Sequence, residues 1–283
     1  MDFAFLEPSN DLKPWVIGFA QRRDIRPLGS ALELPLQHPL LQFLTASAYV
    51  LRPVDGVGGF ERAPSAGLWG PTTTSFQAHH EGALQAFVVI LTHSGFRRLT
   101  GFMPGELLNR RVALSEACPH AAGIEARLSA LHGFREKALF ASAWLRSISD
   151  EVSCRDATLL RMVDAILSAN EPVRVSALAQ RLGISLRTLH KTFVAASGQG
   201  PKQVMRIARL GRALRTLHPH PWGGKRHSDP AADYFDQAHF CRDFKELTSV
   251  SPTQYRKSKI SLGDPLVNTL YTDYGLAVTK AIE

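Results

Sequence analysis

Val175-Ser-Ala-Leu-Ala-Gln-Arg-Leu-Gly-Ile-Ser-Leu-Arg-Thr-Leu-His-Lys-Thr-Phe193 decides how the second half of this 283-residue chain folds. It predicts two short helices, Val175 to Arg181 and Ser185 to Val194, joined by a tight turn. Ala179 is the small residue that two crossing helices need, and Gly183 supplies the positive φ of a sharp turn. Ser185 is a good N-cap for the second helix. Leu178, Leu182, Ile184, Leu189 and Phe193 recur at helical spacing and are expected inward, which leaves Arg187, His190 and Lys191 outward. This is the helix-turn-helix pattern, whose second helix enters the DNA major groove. A two-helix corner in any all-α protein can show the same small-x-x-x-Gly spacing, so the motif needs its neighbours before it carries a function.

Charge is the first of those neighbours. The chain is long enough for two domains, and its 45% apolar content is that of a globular protein. The formal net charge is +8. Residues 1–150 hold 14 Lys+Arg against 13 Asp+Glu, a net of +1, whereas residues 155–259 hold 18 against 8, a net of +10. The basic block coincides with the helix-turn-helix, as a nucleic-acid binder requires. It includes no separate Trp/Phe-rich amphipathic helix, which argues against a membrane-surface role. Three widely spaced cysteines, Cys118, Cys154 and Cys241, lack metal spacing and are expected as free thiols. The N-terminus has no basic segment followed by an apolar core, and no apolar run could span a bilayer. The expected location is the cytoplasm, with no membrane partner.

Further along, Pro201 opens a long helix to Leu217, with Val204, Ile207, Leu210, Leu214 and Leu217 as its buried stripe. Lys202, Arg206, Arg209, Arg212 and Arg215 cover its other faces. A second signature follows, Tyr234-Phe-Asp-Gln-Ala-His-Phe-Cys-Arg-Asp-Phe244 and then Ser251-Pro-Thr-Gln-Tyr-Arg256.

Four blocks in this order, over about residues 170–257, resemble the AraC/XylS family of bacterial transcription regulators. The resemblance implies an all-α domain with two helix-turn-helix subdomains joined by a long helix, each presenting a recognition helix to double-stranded DNA. Carried onto this chain, the first offers Arg187, His190 and Lys191 to base edges, and the second offers Gln237, His239 and Arg242. Arg and Lys can bond guanine, Gln can pair with adenine, and His can donate or accept. Ser185, Thr188, Lys202 and Arg206 are expected at phosphates, which position without specifying. His239 could instead pack against Phe235 or cap a helix. The second motif departs from the family pattern. Asp233 and Ser249 stand where glycines are usual, and Asp229-Pro230 falls within the expected first helix. A proline inside a helix costs about 3 kcal/mol, so this helix is expected short or distorted.

The first half reads as β-rich, with a barrel or sandwich as the natural architecture. Strand candidates are Trp15–Ala20, Gln42–Leu51, Thr72–Phe76 and Ala83–Thr92. Helices are expected at 105–108, 121–132, 134–148 and 155–169. Gly67-Leu-Trp-Gly-Pro-Thr72, Ala86–Thr92, Ser94-Gly-Phe96, Leu99-Thr-Gly101, Glu106–Arg110 and Val112–Leu114 resemble the amino-terminal domain of one branch of AraC-type regulators, which is β-rich and sensory. The fold class expected is therefore α+β. A sensor-like domain spans 1–150, a double helix-turn-helix domain spans 151–259, and a tail of uncertain order spans 260–283.

Chemistry other than binding finds little support. His79, His80 and His93 flank strands, but no His-x-His pair occurs and no nearby carboxylate beyond Glu81 accompanies them, so no metal is expected. Cys118-Pro-His120 lacks the order of methyl-accepting cysteines. No phosphate loop or nucleophile triad appears, so neither a cofactor nor catalysis is expected. The reading is a sequence-specific DNA-binding regulator controlled by an unknown small-molecule effector, acting as monomer or homodimer, with RNA polymerase a further partner. The alternative is a ligand-binding or protein-interaction module whose C-terminal half binds DNA weakly.

Overall fold

The strand over Leu84–Leu91 shows why the first half folds as it does. Leu84, Ala86, Val88 and Ile90 face one apolar core, and Phe87, Val89 and Leu91 face another. A strand buried on both sides reads as a continuous apolar run, which is how it stands in the sequence. The computed structural model describes residues 2–24, 29–56, 58–118, 121–148, 154–167, 174–217 and 229–257. The predicted boundary between 150 and 151 and the tail at 260–283 fall outside them.

Among the described residues the strands are β1 (Asp2–Leu6), β2 (Val16–Asp24), β3 (Gly29–Glu33), β4 (Leu40–Leu44), β5 (Tyr49–Pro53), β6 (Glu61–Arg62), β7 (Ala66–Trp69), β8 (Phe76–His80), β9 (Leu84–Leu91) and β10 (Arg111–Ala113). They form two antiparallel sheets, ordered β1-β2-β9-β4-β7-β10 and β3-β8-β5-β6. The sheets enclose one core through Ala31, Leu51, Phe76, Leu40 and Trp69. The outer face of the larger sheet is covered by helices α1 (His93–Thr100), α2 (Leu114–Ala117), α3 (Ile124–Ala130) and α4 (Phe134–Ser147), with a 3-10 turn at Pro104–Leu107.

Two expected strands need correction. Gln42–Leu51 is not one strand, because the chain leaves the large sheet after β4 and enters the small sheet at β5. Thr72–Ser75 is not strand at all. Thr72 Oγ1 accepts from Leu36 N at 2.7 Å, and Ser75 Oγ donates to the Leu247 carbonyl at 3.0 Å, so these hydroxyls serve loop backbone rather than a ladder. The expected helix 121–132 is also shorter, because Gly123 takes φ +77° just before α3.

The second half contains α5 (Cys154–Leu167), α6 (Val175–Arg181), α7 (Leu186–Ser197), α8 (Pro201–Leu217), α9 (Gln237–Thr248) and α10 (Pro252–Lys257). Two cores hold it. Leu160, Val163 and Ile166 of α5 pack with Ala179, Leu189, Phe193 and Val204. Ile207, Leu210 and Leu214 of α8 pack with Tyr234, Phe240, Phe244 and Tyr255. Leu182, expected inward, is 38% exposed because it lies at the turn beyond α6.

The halves are joined at several points. Leu32 and Leu34, at the end of β3 and just beyond it, enter the second of these helical cores. Gln199 Nε2 donates to Gln37 Oε1 at 3.0 Å, both buried. Gly105 lies directly on the end of α7, where a Cβ on it would stand 2.2 Å from Gly198 N.

Candidate nucleic-acid interface

α7 is built to display one face. The Ser185 side chain accepts from Thr188 N at 3.0 Å, which fixes the first turn, and Gly198 at φ +72° ends the helix. Leu189, Phe193 and Ala196 are buried. Arg187, His190 and Lys191 are exposed on the opposite face, as are Ser185 and Thr188, whose hydroxyls lie 2.9 Å apart. The ring of His190 also lies against Gly200, where a Cβ would stand 2.8 Å from its Nε2.

α9 repeats the plan. The Asp236 side chain accepts from His239 N at 2.6 Å, and Phe240, Phe244 and Leu247 are buried. Gln237 and Arg242 are exposed. His239 is half-buried, edge-on to Tyr234 at 5.4 Å, with its Nδ1 3.4 Å from Phe235 N.

The basic face of α8 divides. Lys202 is exposed. Arg206 is paired with Asp243 and Glu246, Arg209 lies 3.6 Å from Asp243 and over the Tyr234 ring, and Arg212 is paired with Asp233. These arginines tie the connecting helix to the second motif, and their charge is largely spent there. Arg206, expected at phosphate, is engaged by two carboxylates. Counting charge along the sequence overstates what this face offers DNA.

The departures in the second motif find a physical account. Asp233, at a usual glycine position, is the partner of Arg212. Residues 230–233 form turns rather than a helix, yet Ala231 and Tyr234 are buried in the core. Ser249 caps α9 in the left-handed conformation, φ +65°. That backbone costs a non-glycine residue about 1–2 kcal/mol, so Ser249→Gly is expected to raise stability by about 1 kcal/mol, read as a higher midpoint in urea. An unchanged or lower midpoint would count against it.

Three apolar side chains escape the sequence reading. Leu186 is 57% exposed, Val194 is 41% exposed, and Phe235, just before the α9 cap, is 92% exposed. They stand beside the exposed polar faces of α7 and α9; on a DNA-reading helix, apolar groups can meet thymine methyls. Their only signal in sequence is that they fall off the buried stripe.

The first half holds a mostly apolar cavity of about 70 Å³ between its sheets. Arg111 reaches it, buried, stacked on Phe76 at 3.9 Å and 3.8 Å from Glu33. Burial lowers the pKa of this guanidinium. Leu34 lines the same cavity and also belongs to the second helical core. His80 lies at the cavity, where burial pushes it down to about 4. No helix of the described residues is long and apolar enough to cross a membrane.

Residues 178–258 match a family model described as a helix-turn-helix domain. No curated protein matches the sequence. Among solved structures, ToxT from Vibrio cholerae is 13% identical with a TM-score of 0.47, over 84% of this chain and 97% of that one. Unsaturated-fatty-acid-bound wild-type ToxT from Vibrio cholerae strain SCE256 is 11% identical with a TM-score of 0.46, over 84% and 94%. The AraC-like transcriptional activator CuxR is 11% identical with a TM-score of 0.25, over 75% and 86%. The blocks that resemble AraC/XylS regulators, from Leu178 to Arg256, all fall within this matched helix-turn-helix domain.

Proposed function

We propose that this regulator binds a specific DNA sequence and that a small effector in its first half controls that binding. One observation carries the reading. Two capped amphipathic helices, α7 and α9, are both packed on α8 and both expose polar faces. Arg187, His190 and Lys191 read bases from the first, and Gln237 and Arg242 from the second. Ser185, Thr188 and Lys202 sit at phosphates. His239 has a smaller part, since its ring is half-buried against Tyr234. The cavity between the sheets takes a small, mainly apolar effector, and Leu34 links its wall to the core beneath α9.

Selection from a random DNA library at moderate salt tests the first part. An enriched sequence motif is expected, and no enrichment would overturn the reading. Arg187→Ala and Lys191→Ala are each expected to cost about 1–3 kcal/mol at one base position. A loss spread evenly over all sequences would instead mark a phosphate contact.

A further inference from the structure

Outside the recognition faces and the cavity, one cluster of chemistry-bearing side chains is brought together from three distant segments. His38 lies in the loop between β3 and β4, His93 opens α1, and Asp164 lies on α5. Each offers one ligand atom, and these atoms all lie within 4.8 Å of one another. His38 and His93 are 6% and 0% exposed.

The hydrogen bonds fix what each group presents. Asp164 Oδ1 accepts from His93 N at 2.9 Å and lies 2.8 Å from His93 Nδ1. Without a metal this Nδ1–Oδ1 contact is a hydrogen bond; an ion seated there takes the place of its proton and is held by Nδ1 and Oδ1 together. Nδ1 of His38, beside them, is buried without a hydrogen-bond partner among the described residues. A buried polar atom left unsatisfied is costly. An unsatisfied imidazole nitrogen next to an imidazole–carboxylate contact offers three convergent ligands.

We propose that His38, His93 and Asp164 hold a divalent cation of the zinc class, seated between the two halves of the protein. Two imidazoles and one carboxylate suit such an ion, whereas magnesium and calcium prefer oxygen donors. A single carboxylate balances half of its charge, and a water completes the four-coordinate set. Ligands at about 2 Å from a tetrahedral ion stand about 3.3 Å apart, so the cluster closes by at most about 1.5 Å on binding.

The position gives the ion a consequence. His38 and His93 belong to the first half, whereas α5 carries Leu160, Val163 and Ile166 into the core beneath α7. The ion therefore clamps the first recognition motif to the sensor half. This proposal stands apart from the DNA-binding reading, because its test reads metal and not DNA.

The full-length protein, stripped with chelator and desalted, is titrated with Zn²⁺ by calorimetry and with Co²⁺ by visible absorption. One ion per chain with micromolar or tighter affinity is expected, together with the intense visible bands of four-coordinate cobalt. His38→Gln and Asp164→Asn are each expected to weaken binding at least about tenfold and to abolish those bands. Zinc is also expected to raise the melting temperature of the unaltered chain and not that of His38→Gln. Circular dichroism shows whether each variant folds; Asp164→Asn leaves the His38 loop untouched, so either variant alone decides. Absence of micromolar binding overturns the proposal. Stoichiometric binding that both variants leave unchanged also overturns it, since the ion then sits on other histidines.

Discussion

Phe193→Ala is expected to cost about 3–5 kcal/mol, enough to melt the first helix-turn-helix. The ring is fully buried on α7, against α5 residues Leu160, Val163 and Ile166, Ala179 of α6 and Val204 of α8. Truncation removes the side chain on which four helices converge, and backbones already fixed by Ser185 and Gly198 cannot close the void. Urea unfolding followed by circular dichroism measures the loss. Val194→Ala, one residue on and 41% exposed, is the control and should change stability by no more than about 0.5 kcal/mol. A loss under about 1 kcal/mol for Phe193→Ala would show that the core collapses around the void.

Acid should destabilise the first half well above the range where ordinary carboxylates titrate. His80 is buried and stacked on Tyr49 at 4.5 Å, and burial pushes it down to about 4 from 6.5. The sign follows from linkage. Above pH 6.5 the imidazole is neutral folded and unfolded, and it contributes no dependence. Below pH 6.5 the unfolded chain takes up a proton that the folded chain refuses until about pH 4. Stability therefore falls with pH across that window, by about 2 kcal/mol at pH 5 and about 3 kcal/mol at the lower end. Denaturant titrations at pH 7 and pH 5 measure it. His80→Gln should remove this part of the slope while lowering stability somewhat at both pH values. An unchanged slope would refute the assignment to His80. The Asp11 carboxyl, bound by Arg146, and that of Asp164, beside His93, are held below their ordinary range and lose stability in the same direction at lower pH.

How far the sequence could be read depended on the distance over which each contact acts. The α7 motif is legible because its cap, stripe and terminal glycine lie within 14 residues of one another. The strand over Leu84–Leu91 is legible because its apolar run is continuous. The role of the α8 arginines was hidden, since Arg206 finds Asp243 37 residues away and Arg212 finds Asp233 21 residues away. The metal-like cluster was hidden more deeply. His93 was weighed with His79 and His80, its neighbours in sequence, whereas the fold pairs it with Asp164 71 residues on. The split of Gln42–Leu51 into two strands was invisible for a different reason: alternation persists while the chain changes sheets, and nothing in a period of two records which sheet is being built.

The glycine-on-glycine joint between residues 105 and 198 bears on how this protein could be recombined with its relatives. Main chain meets main chain there, with no room for a methyl group on Gly105. An incoming first half would have to present glycine at the same place and arrive at the same angle, or α7 would be displaced at its far end. Exchange of whole halves, whether by gene fusion or at the bench, is thus constrained by a single missing carbon at this joint.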